Sequence, residues 1–545
     1  MRFYRGIPMK PTQKSYIVSN ISLPINASLE EAFSLAARKL ASVGIHPRDA
    51  LYSIYRRSTD ARKRSDIKFV YSVLVRGDMP PLPTRASSLG ISEANLEEPR
   101  VIIGDERLSA PPVVVGSGPA GLFAALILAE NGYKPILIER GGDVAERNAS
   151  VERFKRERVL DPNTNIQFGA GGAGTFSDGK LLTRINDPMS SYVLSGLVRF
   201  GAPSEITYLA KPHIGTDILS VVVENIISKI RELGGEVHYH TRLIDFTVSS
   251  SSVTSVVTNN GVIAAGALIL AIGHSARDTY ELLFSKNVSV EAKDFSVGLR
   301  IEHPTEVIDR GMYGDLAGHA ALGHAEYTLS HDTKNRGVYT FCMCPGGEVV
   351  AAASEEGGVV VNGMSHHARS GKNSNSAVCT SIFKSDYGAT PRAAIEFQRN
   401  IERAAFSAGG SDYSAPIITV GDFLRGECRN APSEVIPTYM EGVGVRLASP
   451  EKYLPKTVTD ALRGAIPAFD RKISGFALDT AVLTGPETRT SAPVRILRNN
   501  ETRLALGYDN FYPAGEGAGY AGGITSAAID GVRCALSLMK KYRHG

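Results

Sequence analysis

At 545 residues the chain is too long for one ordinary hydrophobic core, so two or three domains are expected. A hydrophobic fraction of 43%, a charged fraction of 21% and a net charge of +4 are ordinary for a globular protein, and they give no case for a nucleic-acid or membrane partner. Five cysteines and no tryptophan argue against a disulfide framework and fit a reducing compartment.

The first 29 residues carry Arg2, Arg5, Lys10 and Lys14 but no acid. A transit peptide shows such a charge, yet residues 15–23 alternate like a strand rather than an Arg-rich amphipathic helix. A folded domain start in the cytoplasm is the first reading, and organellar import the second. No stretch reaches the roughly 18 to 20 apolar residues of a membrane span. Residues 29–43 place apolar side chains at helical spacing after Asn26, Ala27 and Ser28. Residues 50–56 read as a strand, 58–65 as a polar helical turn and 67–75 as another strand. This β-α-β pattern, apparent twice, predicts a small α+β domain over 1–107, ferredoxin-like in kind. Its cluster Arg56, Arg57, Arg62, Lys63, Arg64 and Lys68 reads first as a solvated face, and second as a contact for an acidic partner.

Residues 79–89, with Pro80, Pro81 and Pro83, read as a linker. From 111 to 290 strands alternate with helices, the pattern of a parallel sheet. Here the apolar strand 112–115 enters Gly116-Ser117-Gly118-Pro119-Ala120-Gly121 and a helix over 122–130. Gly116 permits the tight turn, Gly118 lets backbone approach a pyrophosphate, and Gly121 lets the helix pack on the strand. A second strand, 134–138, ends in Glu139, an acid placed to accept a ribose hydroxyl. Strand, helix, second strand and acid in one register predict a nucleotide site. Two other blocks, 169–174 and 517–522, match the glycine spacing but lack the flanking elements. Only one full nucleotide module is therefore expected, and no built-in NAD(P) domain.

The serine run 249–252 reads as a turn in a β-meander. Residues 291–478 lose the clean alternation and read as an inserted mixed α+β substrate domain. The chain is expected back in the first sheet near Asn510-Phe511, with a terminal helix over 524–541, so 479–545 completes the domain begun at 111–290.

Four further blocks stand in order: Gly169-Ala170-Gly171-Gly172-Ala173-Gly174-Thr175-Phe176-Ser177-Asp178-Gly179-Lys180, Leu268-Ile269-Leu270-Ala271-Ile272-Gly273-His274, Thr484-Gly485-Pro486-Glu487-Thr488-Arg489-Thr490-Ser491 and Tyr512-Pro513-Ala514-Gly515-Glu516-Gly517. With the first glycine turn these resemble the glutathione-reductase-like superfamily of FAD proteins. Together with Ser58-Thr59-Asp60-Ala61-Arg62-Lys63, Phe341-Cys342-Met343-Cys344-Pro345-Gly346-Gly347 and Asn362-Gly363-Met364-Ser365, nearly the whole chain resembles a family of largely uncharacterised FAD-dependent dehydrogenases, also described as NAD(P)/FAD-dependent oxidoreductases. The resemblance implies an α/β fold with a Rossmann-type FAD domain, non-covalent FAD, a small-molecule substrate and NAD(P)H as a candidate external reductant. It implies Gly116, Gly118, Ala120 and Gly121 at the pyrophosphate, Glu139 at the ribose and Arg140 beside the adenine. Gly171, Gly172 and Ser177 would line the path to the flavin. Gly273, Gly515, Glu516, Gly522 and Ile524 would complete the site, with Glu516 standing where the superfamily usually has Asp. A helix N-terminus near 522–525 would face the flavin pyrimidine edge and favour the anionic reduced ring.

Catalytic candidates are Arg489, Lys180 and His366. Arg489 suits bidentate recognition of a substrate carboxylate or phosphate, against a competing ion pair with Glu487 or Asp479. His366, beside His367 and near Arg369, suits an anion or a general acid, against a plain surface role. Lys180 reads equally as a flavin contact and a solvated turn residue. Cys342 and Cys344 read first as small residues packed below Pro345-Gly346-Gly347, and second as a redox pair or soft-metal site. No second pair completes a zinc site, so no metal is expected. Two other functions stay open: a structural or sensing FAD with the N-terminal domain binding a protein or RNA partner, and a flavin monooxygenase.

Overall fold

The computed structural model describes residues 13–94, 99–182, 187–333, 336–439 and 444–545. Arg2, Arg5 and Lys10, on which the transit-peptide reading rests, lie outside the described residues. No helix among the described residues is long and apolar enough to cross a membrane.

The N-terminal unit is a four-stranded antiparallel sheet in the order Arg48–Asp60, Lys68–Asp78, Gln13–Pro24, Ile91–Glu93. One helix, Leu29–Ser42, covers it. Ser28 caps that helix through a reciprocal bond with Glu31, and Ala32, Ala36 and Leu40, four residues apart, are the buried stripe. The helical turn expected over 58–65 is absent. Residues 58–60 continue the strand, and Asp60 Oδ1 then accepts from Arg62 N at 3.2 Å and Nε at 2.8 Å, closing the turn back to Lys68. Within the proline-bearing segment read as a linker, a short 3-10 segment forms over Thr84–Leu89. The unit is tied to the next one by backbone bonds from Arg57 N to Tyr208 O at 2.7 Å and from Ala210 N to Arg57 O at 2.8 Å.

The second unit is a five-stranded parallel sheet, ordered Phe511–Pro513, Ala267–Leu270, Pro112–Val115, Ile136–Ile138, Glu236–His238. The helix Pro119–Glu130 is buried over its whole length, from Ala120 to Ala129, because the sheet, the helix Thr216–Glu232 and the terminal helix Ile524–Lys541 enclose it. Its sequence is accordingly apolar all round. The opposite face of the sheet carries the meander Leu243–Ser249, Ser252–Thr258, Gly261–Ala264, in which the serine run makes the first turn.

The third unit is a seven-stranded sheet ordered Ser330–Asp332, Gly337–Cys344, Asn373–Ile382, Phe295–Pro304, Val482–Glu487, Ala415–Thr419, Val445–Leu447. The helices Thr305–Tyr313, Pro391–Ala408 and Lys456–Asp470 pack around its core. The boundary expected at 478/479 therefore moves: Val482–Glu487 pairs with Phe295–Pro304 and belongs to this sheet. The chain leaves through Val494–Ile496, paired with Val290–Ala292, and only then returns to the parallel sheet.

Candidate functional site

Gly116, at φ +97°, brings the first turn so close to the next strand that a Cβ there would lie 2.4 Å from Ala271 O. A Cβ on Gly121 would lie 1.8 Å from Gly116 O, so this glycine serves helix packing. Gly118 is different: its nearest neighbour is Gly172 Cα at 3.8 Å, which leaves the turn open to a ligand. The second glycine block folds against this opening. Gly171 N donates to Ser117 O at 3.0 Å, and Gly172, at φ +62°, would place a Cβ 2.9 Å from Gly118 Cα.

Both flanking helices start without a side-chain cap, at Gly118 and at Gly523. They converge, since a Cβ on Gly174 would lie 3.0 Å from Ile524 Cγ1 and 3.7 Å from Pro119 Cγ. Cβ atoms added to Gly273, Gly522 or Gly523 would meet nothing within 4 Å. Two helix ends with free N–H groups, separated by open glycine backbone at the carboxyl ends of parallel strands, fit a dinucleotide pyrophosphate. The residues present thus suit FAD.

Glu139 is buried and already serves four protein donors. Oε2 accepts from Ser117 N at 2.9 Å and Ser117 Oγ at 2.7 Å, while Oε1 accepts from Gly141 N and Gly169 N, each at 3.0 Å. The carboxylate ties three glycine-bearing turns together, so a ribose hydroxyl can bind it only where the Ser117 hydroxyl rotates away. Arg140 lies over the Phe168 ring at 4.3 Å and meets both Asp278 oxygens at 2.8 Å. Ser177 Oγ donates to Gly174 O at 2.6 Å and accepts from Gly179 N at 3.1 Å, a local turn bond. Gly515 N is held by Asp530 Oδ2 at 2.8 Å, and Glu516 has His274 Nδ1 at 3.8 Å.

Sequence reasoning missed several residues that shape this site. Arg147, almost fully buried, donates to Asn165 O at 2.9 Å and to Ala170 O and Ile166 O at 2.7 Å, fixing the segment that leads into the second glycine block. Burial draws its guanidinium down to about 9, against the pull of Glu139. Tyr280 Oη donates to Gly517 O at 2.9 Å. Gly531 admits the terminal helix, since a Cβ there would lie 2.0 Å from Ala120 O. The glycine at 531 falls inside a helix, and that was the one available signal.

The catalytic candidates separate. Arg489 is buried, and its partner is Glu402, not Glu487 or Asp479: Nε and Nη2 reach the two Glu402 oxygens at 3.2 and 3.0 Å. Arg277 grips the same carboxylate at 2.8 Å on each oxygen. Burial, with Arg277 nearby, lowers the Arg489 pKa although Glu402 opposes this. Glu487 instead makes a bidentate pair with the fully buried Arg300, at 2.9 and 3.0 Å, and Asp479 pairs with Arg425 at 3.0 Å. His366 is exposed, whereas His367 turns inward and stacks on His213 at 5.3 Å. Lys180 lies at the junction of the second and third units, 2.5 Å from Asp178 Oδ2 and bonded to Met343 O. Asp178 is fully buried and also takes Arg369 Nε at 3.0 Å and Nη2 at 2.5 Å. Burial raises its pKa, but Lys180 and Arg369 outweigh this and hold the carboxyl down to about 2. Asp178, Arg300 and Arg369 were not singled out as candidates from sequence.

In the N-terminal basic cluster, Arg62 pairs with Asp60 at 2.6 Å, Lys68 with Asp66 at 3.0 Å, and Arg57 lies over Phe69 at 5.0 Å. Part of its charge is thus met within the chain.

Residues 294–490 match the family described as "FAD-dependent protein, C-terminal domain-like", residues 114–177 a "NAD(P)-binding Rossmann-like domain", and residues 17–76 a domain of unknown function. A protein of Clostridium beijerinckii, described as an uncharacterized protein, is 47% identical over 525 residues, covering 95% of this chain and 98% of that one. Among solved structures, CtdE in complex with FAD is 12% identical, covering 78% of this chain and 82% of that one, with a TM-score of 0.32. An L-amino acid deaminase from Proteus vulgaris is 10% identical, covering 81% and 93%, with a TM-score of 0.36. At that level of superposition neither structure assigns anything to this chain.

Proposed function

Because this chain belongs to a family of FAD-dependent oxidoreductases, we propose that it acts as a dehydrogenase, moving hydride or electrons between a small-molecule substrate and FAD held non-covalently at the carboxyl edge of the parallel sheet. The observation that carries this reading is the convergence of two uncapped helix starts, Gly118 and Gly523, on open glycine backbone. The order of the glycine blocks resembles that of the glutathione-reductase-like superfamily, which supports the same reading.

FAD supplies the two-electron chemistry of its ring. The chain's part is to bind and tune. The N–H groups at Ala120 and Gly121 would hold the pyrophosphate, Glu139 would take a ribose hydroxyl in exchange for Ser117 Oγ, and Arg140, over the Phe168 ring, would flank the adenine. The start of Ile524–Lys541 would offer its N–H groups and partial positive charge to a bound flavin and so favour its reduced, anionic form. Arg489 is committed to Glu402 and His366 is exposed, which leaves Lys180 as the candidate nearest the junction of the two larger units. The substrate face lies there, with Asp178 and Arg369 orienting Lys180 and excluding water. NAD(P)H is the external reductant to try first.

The test is the visible spectrum of purified protein, followed by denaturation and identification of the released cofactor. Flavin bands that bleach with dithionite and release FAD support the reading and allow donors to be screened by bleaching. A protein that stays colourless after FAD is added overturns it.

A further inference from the structure

Cys342 and Cys344 sit at an irregularity in the strand Gly337–Cys344. Phe341 pairs with Ala377 and Cys344 with Asn375, so three steps on one strand face two on its neighbour. The extra residue is taken up at Cys342, whose φ of +46° is left-handed and uncommon for a residue with a Cβ. Despite the break in alternation, the two cysteines stay in contact, Cys344 Sγ donating to Cys342 O at 3.3 Å. Cys342 is half-buried and Cys344 is fully buried behind it.

Charged groups from three other segments surround the pair. Arg300 Nη1, from Phe295–Pro304, donates to Cys342 O at 3.0 Å, and Lys180 donates to Met343 O. Their acids are Glu487, from Val482–Glu487, and Asp178. Cys379, on Asn373–Ile382, is a further buried thiol nearby. The neighbouring Cys344 thiol draws the Cys342 thiol below the ordinary range. Burial and Glu487 oppose that shift, while Arg300 and Lys180 support it. The Cys342 thiol and burial push Cys344 up. Among the described residues no group of three or more His, Cys, Asp or Glu side chains could hold a metal, so the pair is not completed as a soft-metal site.

We propose that Cys342 and Cys344 form a redox-active dithiol that exchanges with low-molecular-weight disulfides, with Cys342 as the attacking sulfur and Cys344 as the resolving one. The Cys342 thiolate attacks one sulfur of the small disulfide, forming a mixed disulfide and expelling one thiolate. Cys344 passes its proton to that leaving thiolate, attacks the Cys342 sulfur and expels the second thiolate. Two protein thiols are thereby oxidised to a disulfide, and one small disulfide is reduced to two thiols, one of them still ionised. Lys180 is the counter-charge for the thiolate. The chemistry is independent of the flavin reading.

The test uses the full-length holoprotein and oxidised glutathione. Mass spectrometry is expected to show a Cys342–Cys344 linked peptide that dithiothreitol reverses, and a stable glutathione adduct on Cys342 in Cys344→Ser. In unaltered protein at mildly acidic pH, iodoacetamide should alkylate Cys342 at least about tenfold faster than the half-buried Cys428, whose thiol burial pushes up. Cys342 alkylating no faster than Cys428, or oxidised glutathione leaving both thiols free, overturns the proposal. The alkylation comparison needs no variant, so it decides even where Cys344→Ser fails to fold.

Discussion

Glu139 and Ser117 meet through a single carboxylate oxygen: Oε2 accepts both the Ser117 backbone N–H at 2.9 Å and the Ser117 hydroxyl at 2.7 Å. The backbone bond holds the turn shape, and the hydroxyl bond occupies the lone pair that the proposed ribose contact needs. The two can be separated by mutation. Ser117→Ala should leave FAD affinity unchanged or up to a few-fold tighter, because it frees a lone pair without losing the backbone bond. Glu139→Ala strands several buried donors and should cost about 1–3 kcal/mol of stability along with most FAD binding. Flavin fluorescence titration and thermal melts of the apoproteins check both.

The glycines divide by what a Cβ would meet. Gly531→Ala drives a methyl to 2.0 Å from Ala120 O, so the terminal helix must shift and the apoprotein melt at a lower temperature. Gly522→Ala meets nothing within 4 Å and has no positive φ. It should leave the apoprotein melting temperature within about 1–2 °C while weakening FAD binding, since the methyl would stand at the proposed cofactor site. Equal effects of the two substitutions on the apoprotein would contradict this division.

Arg489→Ala removes one of two arginines gripping Glu402. With Arg277 still bidentate, the loss should be near the lower end of a broken buried pair, about 3 kcal/mol by chemical denaturation. Turnover per bound flavin should change far less than stability. A large fall in turnover without loss of stability would return Arg489 to the substrate site.

His303 is fully buried, donates through Nε2 to Phe476 O at 2.7 Å, and leaves Nδ1 without a partner. Burial draws its pKa down to about 4, so the native state prefers the neutral ring. The unfolded chain takes up this proton near the ordinary histidine value, about 6.5, and the native state only near 4. The contribution is therefore fully present above about pH 6.5, is lost as pH falls, and is exhausted below about pH 4, amounting to about 3 kcal/mol. In His303→Gln, denaturant midpoints measured across that window should fall by correspondingly less than in the unaltered protein.

The nucleotide turn was legible from residues 112–139 because each signal in it is local. A short apolar run makes a strand, glycines at fixed offsets make the turn, an apolar segment makes the helix and an acid ends the next strand. The helical turn expected at 58–65 failed for an equally local reason, since Asp60 can close a turn with its own side chain. The uncapped start of the terminal helix was placed near 522–525 from its glycines, and the structure puts the cap at Gly523.

What the sequence determined by itself was this module, the order of the glycine blocks and the kind of cofactor they resemble a cradle for, because those depend on backbone freedom at spacings of a few residues. Only the tertiary structure decided that Val482–Glu487 joins the seven-stranded sheet, that Arg489 pairs with Glu402 and Arg300 with Glu487, and that Asp178 gathers Lys180 and Arg369. Most of these contacts join residues far apart in the chain. An arginine carries no local mark of which carboxylate it will meet; burial and sheet register choose the partner once the units have packed.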